Sequence, residues 1–436
     1  MHLNNGVNHH VSSAHNTLRS LLRLVRAGQP ISRAELARRL GVNRSTVTGI
    51  VKPLMASGTL SEVESIVLAG RNGRPPLGLY LRAEGQFFVG VKIGVRRTQM
   101  ASMTGTRLIG PAVSFDTPSD VESALVQVGA AVARLVRASQ ARACVFVGVS
   151  VPGPVDARRR RLLKAPQRSW RDVEIADRLG RAAALDDHCR VVVTVENDAT
   201  AVAVYELQRK WRNVSHDRSP EDFLLVRVGS GIGVGIVIGG EVYRGTGHGR
   251  GMAGEFGHMT VVAGGKRCVC GNRGCWERYG SARSATALYA GDHIWSDPAE
   301  RGFEELVARA QGGELRARRA LEQTGEFLGI GIANIINGVG ISQVVISGEI
   351  VRGWDFIRTS LHETVRRTMN GCLPSWSVTV GEPQGAGLRG SLEVAIDEYL
   401  MRVADSARPA LGNRSRPGAG LKLSPRGGFE FISYPS

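Results

Sequence analysis

His258, Cys268, Cys270 and Cys275 stand close together in the string EFGHMTVVAGGKRCVCGNRGCWE. Three soft thiolates and one imidazole make a closed tetrahedral donor set suited to structural Zn2+, and the intervening glycines allow tight turns between ligands. Three buried free thiols are the alternative, but such close spacing seldom serves packing. Cys144, Cys189 and Cys372 are isolated in apolar settings and read as core. Six cysteines in 436 residues are too few for a disulfide scaffold.

Two further strings could carry chemistry. VENDA at 195–199 follows the β-rich run VVVTV, which puts Asn197 and Asp198 at a strand end, where active-site carboxylates often sit; a capping Asp ahead of a helix from Ala199 explains it equally well. RVGSGIGVG at 227–235 is a strand entering a glycine-rich turn at Gly229, Gly231 and Gly233. Bare backbone N–H groups there could cradle phosphate, and a tight hairpin would use the same glycines.

Basic residues mark a second kind of site near the front of the chain. Arg44, Ser45, Thr46, Thr48 and Lys52 lie largely outside the apolar stripe Val47, Ile50, Val51 and Leu54 of a helix expected from Arg44 to about Ser57. They suit a recognition helix in a DNA major groove, or else an ordinary solvated face. The elements before it favour DNA. Leu18, Leu21, Leu22 and Val25 give a first amphipathic helix over 16–27, and Ser32 with Glu35 forms a capping box for a second helix that runs through Leu40 and ends at Gly41. Asn43 is placed to cap the third, in which Gly49 and Pro53 predict a kink near Lys52. Strands expected at 59–68 and 77–81 would flank RNGRPP as a wing, where Arg71 and Arg74 could contact phosphate or minor groove, or simply decorate a surface hairpin.

Charge follows the same division. The chain carries a net +17, yet 50 of its 56 basic residues are Arg, a bias genome base composition can produce, so the total is weak evidence. Residues 1–82 alone hold 11 basic and 3 acidic side chains, which concentrates positive charge as a DNA-binding module requires. No stretch approaches the roughly 18 apolar residues of a membrane span, and the N-terminus lacks a basic segment followed by an apolar run, so a cytoplasmic protein is expected.

Beyond Phe87, apolar Gly-punctuated segments at 87–93, 98–104, 121–138, 143–150, 191–195, 198–211 and 223–238 alternate between strand and helix character, an α/β pattern. The expected organisation is a flexible leader over 1–14, a winged helix-turn-helix over 15–82, an α/β domain over 87–403 and a disordered tail over 404–436, rich in Pro, Gly, Ser and Arg.

Taken in order, GVSVPGPVD at 148–156, VENDA, the glycine turn, GEFGH at 254–258 and CVCGNRGCWE at 268–277 resemble the ROK family of bacterial repressors, open reading frames and sugar kinases. The resemblance implies an actin-like, ribonuclease H-like, two-lobed sugar-kinase domain with zinc near the sugar, assembled as a homodimer or homotetramer. It assigns sugar hydroxyls to Asn197, Asp198, Glu255, His258 and Glu277, with Asp198 as the general base of a kinase. It also exposes a departure. Family kinases carry a phosphate loop D-x-G-x-T, but this chain reads VGVKIGVRRT at 89–98, with Lys92 at the Asp position, Gly94 retained, and Arg96 and Arg97 where small residues would admit the nucleotide. Since that carboxylate helps place Mg2+, loss of kinase activity is expected. The implied function is a DNA-binding regulator, with duplex DNA and a sugar effector as partners. An active sugar kinase, or a regulator answering to a protein partner, is the rival.

Overall fold

The protein is described here from a computed structural model covering residues 6–64, 77–82, 86–105, 107–139, 144–156, 158, 160–183, 190–213, 222–246, 251–291, 300–368, 375–382, 385–407, 421–423 and 429–431. Arg71, Arg74, Cys189 and Cys372 lie outside these residues.

The chain opens with α1 (Gly6–Gly28), β1 (Ile31–Ser32), α2 (Arg33–Leu40), α3 (Arg44–Ala56), β2 (Leu60–Glu64) and β3 (Leu77–Leu81). Ser32 Oγ accepts from the Glu35 amide at 3.1 Å, and Gly41 closes α2 in the left-handed conformation that glycine tolerates. β2 and β3 pair antiparallel, and β1, which periodicity does not reveal, joins the other edge of β3. Val47, Val51 and Leu54 are buried, while Ile50 is half-buried.

α3 runs through Pro53 as one helix, and the carbonyl deprived of its donor is that of exposed Gly49, where water reaches it. Two local expectations need correction. Asn43 holds the N-cap position of α3 but its side chain makes no capping bond. α1 begins at Gly6, inside the segment read as a leader, since adding a turn to an existing helix is far easier than nucleating one.

From Phe87 the chain builds two five-stranded sheets of identical topology. β4 (Phe87–Ile93), β5 (Arg97–Thr104) and β6 (Arg107–Asp116) form an antiparallel meander; after α4 (Val121–Ser139), β7 (Cys144–Val151) adds parallel to β4. A small antiparallel sheet of β8 (Val155–Asp156), β9 (Arg161–Ala165) and β10 (Trp170–Val173), then α5 (Ile175–Ala182), precede β11 (Arg190–Asn197), parallel to β7. α6 (Asp198–Asn213) leads to the second meander, β12 (Phe223–Val228), β13 (Ile232–Ile238) and β14 (Glu241–Tyr243). Then come α7 (Glu277–Gly280), α8 (Ala282–Ala290), α9 (Glu300–Gln311), α10 (Leu315–Val339), β15 (Gln343–Ser347), α11 (Trp354–Arg366), β16 (Ser377–Val380) and α12 (Ala386–Ser406). The strand orders, β6-β5-β4-β7-β11 and β14-β13-β12-β15-β16, superimpose element for element: a duplicated lobe, as in the actin-like fold.

Strand alternation decides the layers. In β4, Phe87, Val89, Val91 and Ile93 face α4 and α5, while Phe88 turns the other way into a central core. That core lies between the two sheets and is filled by α6 and α12; the outer face of the second sheet is covered by α8, α9, α10 and α11. The central core does not stop at the lobes. Leu21, Leu22, Leu24 and Val25 of α1 belong to it together with α2, α3, Val204 and Leu207 of α6, and Leu400 of α12. The DNA-binding candidate and the α/β domain therefore share one core across the boundary at 82–87.

α12 extends to Ser406 with Val403 and Ala404 fully buried, so the chain remains ordered past 404; two short strands, β17 (Leu421–Leu423) and β18 (Phe429–Phe431), pair beyond it. Burial against the central core, invisible in composition, holds the end of that helix. Among the described residues, no helix is long and apolar enough to cross a membrane.

Gly148 of β7 lets α12 lie on the sheet: a Cβ there would stand 2.1 Å from the Ser391 carbonyl oxygen. Gly148→Ala should lower stability by about 1–3 kcal/mol or more, as overpacking against rigid backbone does, measured as a shift in urea midpoint. An unchanged midpoint would show that α12 can slide.

Candidate functional site

The candidate site forms where α6, the β12–β13 hairpin and the turn Glu255–His258 converge. VENDA sits at the end of β11 and the start of α6. Asn197, not Asp198, caps the helix: its Oδ1 accepts from the Ala199 and Thr200 amides at 2.9 and 3.1 Å, and its Nδ2 donates to the Gly153 carbonyl at 3.0 Å. This releases Asp198, whose Oδ2 takes a hydrogen bond from Arg227 at 2.7 Å. Arg227, which sequence reasoning missed, lies on β12 in phase with Phe223 and Leu225, so it faces α6.

The glycine turn is a tight hairpin. Gly229 N–H bonds to the Gly231 carbonyl at 3.0 Å, and Val228 pairs with Ile232. Its glycines also permit close approach. A Cβ on Gly231 would stand 2.7 Å from Glu277 Oε2, and one on Gly233 would stand 2.8 Å from Ala199 Cβ. Gly254 and Gly257 press the Glu255–His258 turn directly onto β13, where a Cβ would fall 1.9 Å from the Val234 oxygen and 2.0 Å from that of Ile232.

Of the five residues assigned to sugar, Asp198, Glu255, His258 and Glu277 gather around one hairpin, whereas the Asn197 amide is turned to Gly153 and the first turn of α6. Glu255 Oε2 lies 3.9 Å from His258 Nε2, and Glu277 Oε1 lies 3.6 Å from His258 Nδ1. Burial, then the nearby charges of Asp198 and Glu277, push the Glu255 carboxyl up to about 7. Such a cluster of acceptors with one neutral or protonated member can both accept from and donate to ring hydroxyls.

Next to it His258, Cys268, Cys270 and Cys275 gather so that one donor atom from each lies within 4.8 Å of the others. Cys270 and Cys275 sulfurs are 3.7 Å apart and Cys268 Sγ is 3.6 Å from His258 Nδ1. Two sulfurs bound tetrahedrally at about 2.3 Å from one ion stand about 3.8 Å apart, so the donor set fits a metal of zinc size. Burial pushes the Cys275 thiol up to about 11 and the Cys268 thiol further, so binding a metal there must displace protons. His258 Nδ1 faces both Cys268 Sγ and Glu277 Oε1, and its Nε2 faces Glu255.

The other half of the cleft is built differently. Lys92 ends β4 in phase with Phe88, with its stem against Gly387 at the start of α12 and Nζ 3.4 Å from Gln99 Oε1. The Gly94 amide bonds to the Arg97 carbonyl at 3.0 Å, closing a hairpin, and the Val95 carbonyl accepts from Arg168. Far from the cleft, Arg44, Ser45, Thr46, Thr48 and Lys52 are all exposed on α3, with the Thr48 hydroxyl donating back to the Arg44 carbonyl at 2.9 Å.

Comparison with known proteins follows these two parts. Residues 88–398 match the ROK family, and residues 15–60 match winged helix-turn-helix DNA-binding domains. The chain is 26% identical over 390 residues to the xylose repressor of Bacillus subtilis, covering 87% of this chain and 94% of that one. Among solved structures, a ROK family transcriptional regulator described as a homologue of the E. coli MLC protein superimposes with a TM-score of 0.68 at 22% identity, over 89% of this chain and 99% of that one. A ROK family glucokinase from Streptomyces griseus, in complex with glucose and AMPPNP, is 26% identical with a TM-score of 0.58, over 71% of this chain and 99% of its own.

Because Asn197 both caps α6 and ties it to Gly153, Asn197→Ala should cost about 1–2 kcal/mol, whereas Asn197→Asp, which keeps the capping acceptor, should recover much of it. Equal losses in urea denaturation would show that the cap contributes little.

Proposed function

The chain belongs to the ROK family, and on that premise we propose that it is a sugar-responsive transcriptional regulator, in which a winged helix-turn-helix reads DNA and a degenerate kinase cleft binds a sugar or sugar derivative. Having both modules in one chain carries the reading: α3 presents five polar or basic side chains to solvent, and the convergence of Asn197, Asp198, Glu255, His258 and Glu277 provides a polyhydroxyl site. Arg44 and Lys52 are assigned to the operator, and Ser45, Thr46 and Thr48 accompany them on the same face. A homodimer or homotetramer would place two such helices on half-sites about one helical turn apart, or a multiple of that.

Phosphoryl transfer is not expected. Lys92 stands where a metal-orienting carboxylate is needed, the Gly94 and Gly229 amides are already bonded within their own hairpins, and one oxygen of Asp198 accepts from Arg227 instead of waiting for a substrate hydroxyl. Likeness to a glucokinase crystallised with glucose and AMPPNP is what favours the rival, an active sugar kinase.

Because α1 shares its core with α6 and α12, removing residues 15–82 would uncover apolar surface; point substitutions test the domain better. Arg44→Ala should weaken binding to a selected operator, Lys52→Ala should lower affinity for all duplexes and flatten the salt dependence, and Asp198→Asn or Glu255→Gln should remove the sugar response while leaving sugar-free DNA binding intact. A sugar panel scored by thermal stability names the effector, since a ligand at 100 times its Kd adds about 2.7 kcal/mol. Sugar-dependent ATP consumption at ordinary kinase rates would overturn the degenerate-kinase reading.

The His258, Cys268, Cys270 and Cys275 cluster is proposed as a structural zinc site that fixes the Glu255 and Glu277 backbones relative to each other. Metal analysis should return one zinc per chain. Cys270→Ser should lose it, together with stability and sugar binding, because binding energy at such a site is folding energy; zinc-free wild-type protein that still binds sugar would refute the assignment.

A further inference from the structure

The interface between α1 and the α/β domain is held by buried charge. Arg23 Nη1 lies 2.6 Å from Glu241 Oε1 on β14, and its Nε and Nη2 clasp the Asp397 carboxylate of α12 at 2.8 and 2.9 Å. One turn on, Arg26 Nη2 holds Glu393 Oε1 at 2.8 Å, and Arg212 of α6 reaches the same oxygen at 3.8 Å. The side chains of Arg23, Arg26 and Glu393 are each only 9% exposed, so Arg26–Glu393 is desolvated on both sides, while Arg23 reaches from the interior to the partly exposed Asp397 and Glu241. Between them lies a cavity of about 10 Å3, bounded by Val204, Leu207, Gln208 and the paired charges, which is room for a single water.

β14 continues from this joint toward the candidate site. Three residues after Glu241, Arg244 Nε bonds Glu196 Oε2 at 2.6 Å, and Glu196 immediately precedes Asn197 and Asp198. The Arg244 carbonyl accepts from the Gly251 amide at 2.8 Å, anchoring the segment that leads to Glu255 and His258. Burial alone would depress the Arg244 guanidinium, but Glu196 and, behind it, Asp397 outweigh this and keep it charged. One short strand thus touches α1 at Glu241, and Arg244, the residue that follows it, holds Glu196 and Gly251.

We propose that β14, through Glu241–Arg23 at one end and Arg244–Glu196 at the other, is the coupling element between the effector cleft and the DNA-binding unit, with Arg23 and Arg244 as its positioning residues. The inference rests on the proposed roles of these two parts, though not on the identity of sugar or operator. Directional ion pairs suit the task better than apolar packing, because they hold discrete arrangements and exchange partners instead of sliding. Through these bonds a shift of the Asn197 or Gly251 segment on ligand binding would be passed to Arg244 and, along the strand, to the Glu241–Arg23 pair.

Hydrogen exchange on the full-length protein, without ligand, tests this. Glu241→Gln, made next to α1, should speed exchange at 197–204 and 251–258 by about fivefold or more, the lower end of usual site-to-site couplings. Glu196→Gln, made next to the cleft, should do the same at 18–26, and the double variant should fall short of the product of the two. Exchange in α10 and α11 should stay at the wild-type rate, as it also should throughout in the control Arg352→Gln, which breaks the surface pair with Glu304. If either variant melts too low to measure, Arg23→Lys, which keeps the charge but loses the two-point grip, should give the same pattern more weakly. Changes confined to the neighbours of each substitution, effects that multiply in the double variant, or a rise across α10 and α11 as well would overturn the proposal. None of these would touch the DNA and sugar tests of the regulator itself.

Discussion

Everything in this molecule depends on the packing of α1 against α6 and α12. Those two helices fill the layer between the sheets, and both reach the cleft: α6 begins at Asp198, and α12 begins beside Lys92. By burying one face in the helix-turn-helix and another in that layer, α1 makes the two units a single cooperative body. Full burial of side chains such as Leu21, Leu22 and Val25 is worth about 1.5–3 kcal/mol each. A DNA-binding unit hung on a free linker would feel nothing of the cleft.

That constraint shapes the cleft as well. The two lobes are copies in topology, yet their ends at the cleft have diverged in chemistry. On the second lobe, glycines at 231, 233, 254 and 257 draw Glu277, α6 and the Glu255–His258 turn together until no Cβ would fit between them. On the first, the β4–β5 turn is closed by its own hydrogen bond and ringed by Lys92, Arg96, Arg97 and Arg168. The proposed retention of binding without transfer is consistent with this, because the two groups of residues sit on different sheets. The proposed zinc site adjoins this second-lobe cluster, with His258 Nδ1 beside Cys268 Sγ and Glu277 Oε1 and Nε2 beside Glu255.

Much of this was legible in the sequence wherever the determining contacts are local. Ser32 and Glu35 mark a capped helix because the bond joins residues three apart, and the metal donors Cys268, Cys270 and Cys275 announce themselves because a closed loop must bring them together. The resemblance to the ROK family assigned Asn197, Asp198, Glu255 and Glu277 to one site; the fold sets Asp198, Glu255 and Glu277 near one another and commits the Asn197 amide to the α6 cap. VENDA shows the limit of local reading. The sequence allows either polar residue to cap α6, and only the position of Arg227, 29 residues on, decides that Asn197 caps and Asp198 pairs.

What tertiary structure alone decided is the meaning of charge. Leu18, Leu21, Leu22 and Val25 identify α1 as amphipathic, but that pattern does not say what Arg19, Arg23 and Arg26 meet. Arg23 is buried, against Asp397 at a separation of 374 residues, and Arg19 and Arg26 are half-buried. Helical periodicity records which residues share a face but not what that face meets, and an arginine looks the same in sequence whether its partner is water or a carboxylate. Short-range hydrogen bonds and donor spacing are written into the chain. Pairings between distant charges exist only once the sheets have stacked and excluded water between them, which makes each pairing strong and leaves it without a local signature.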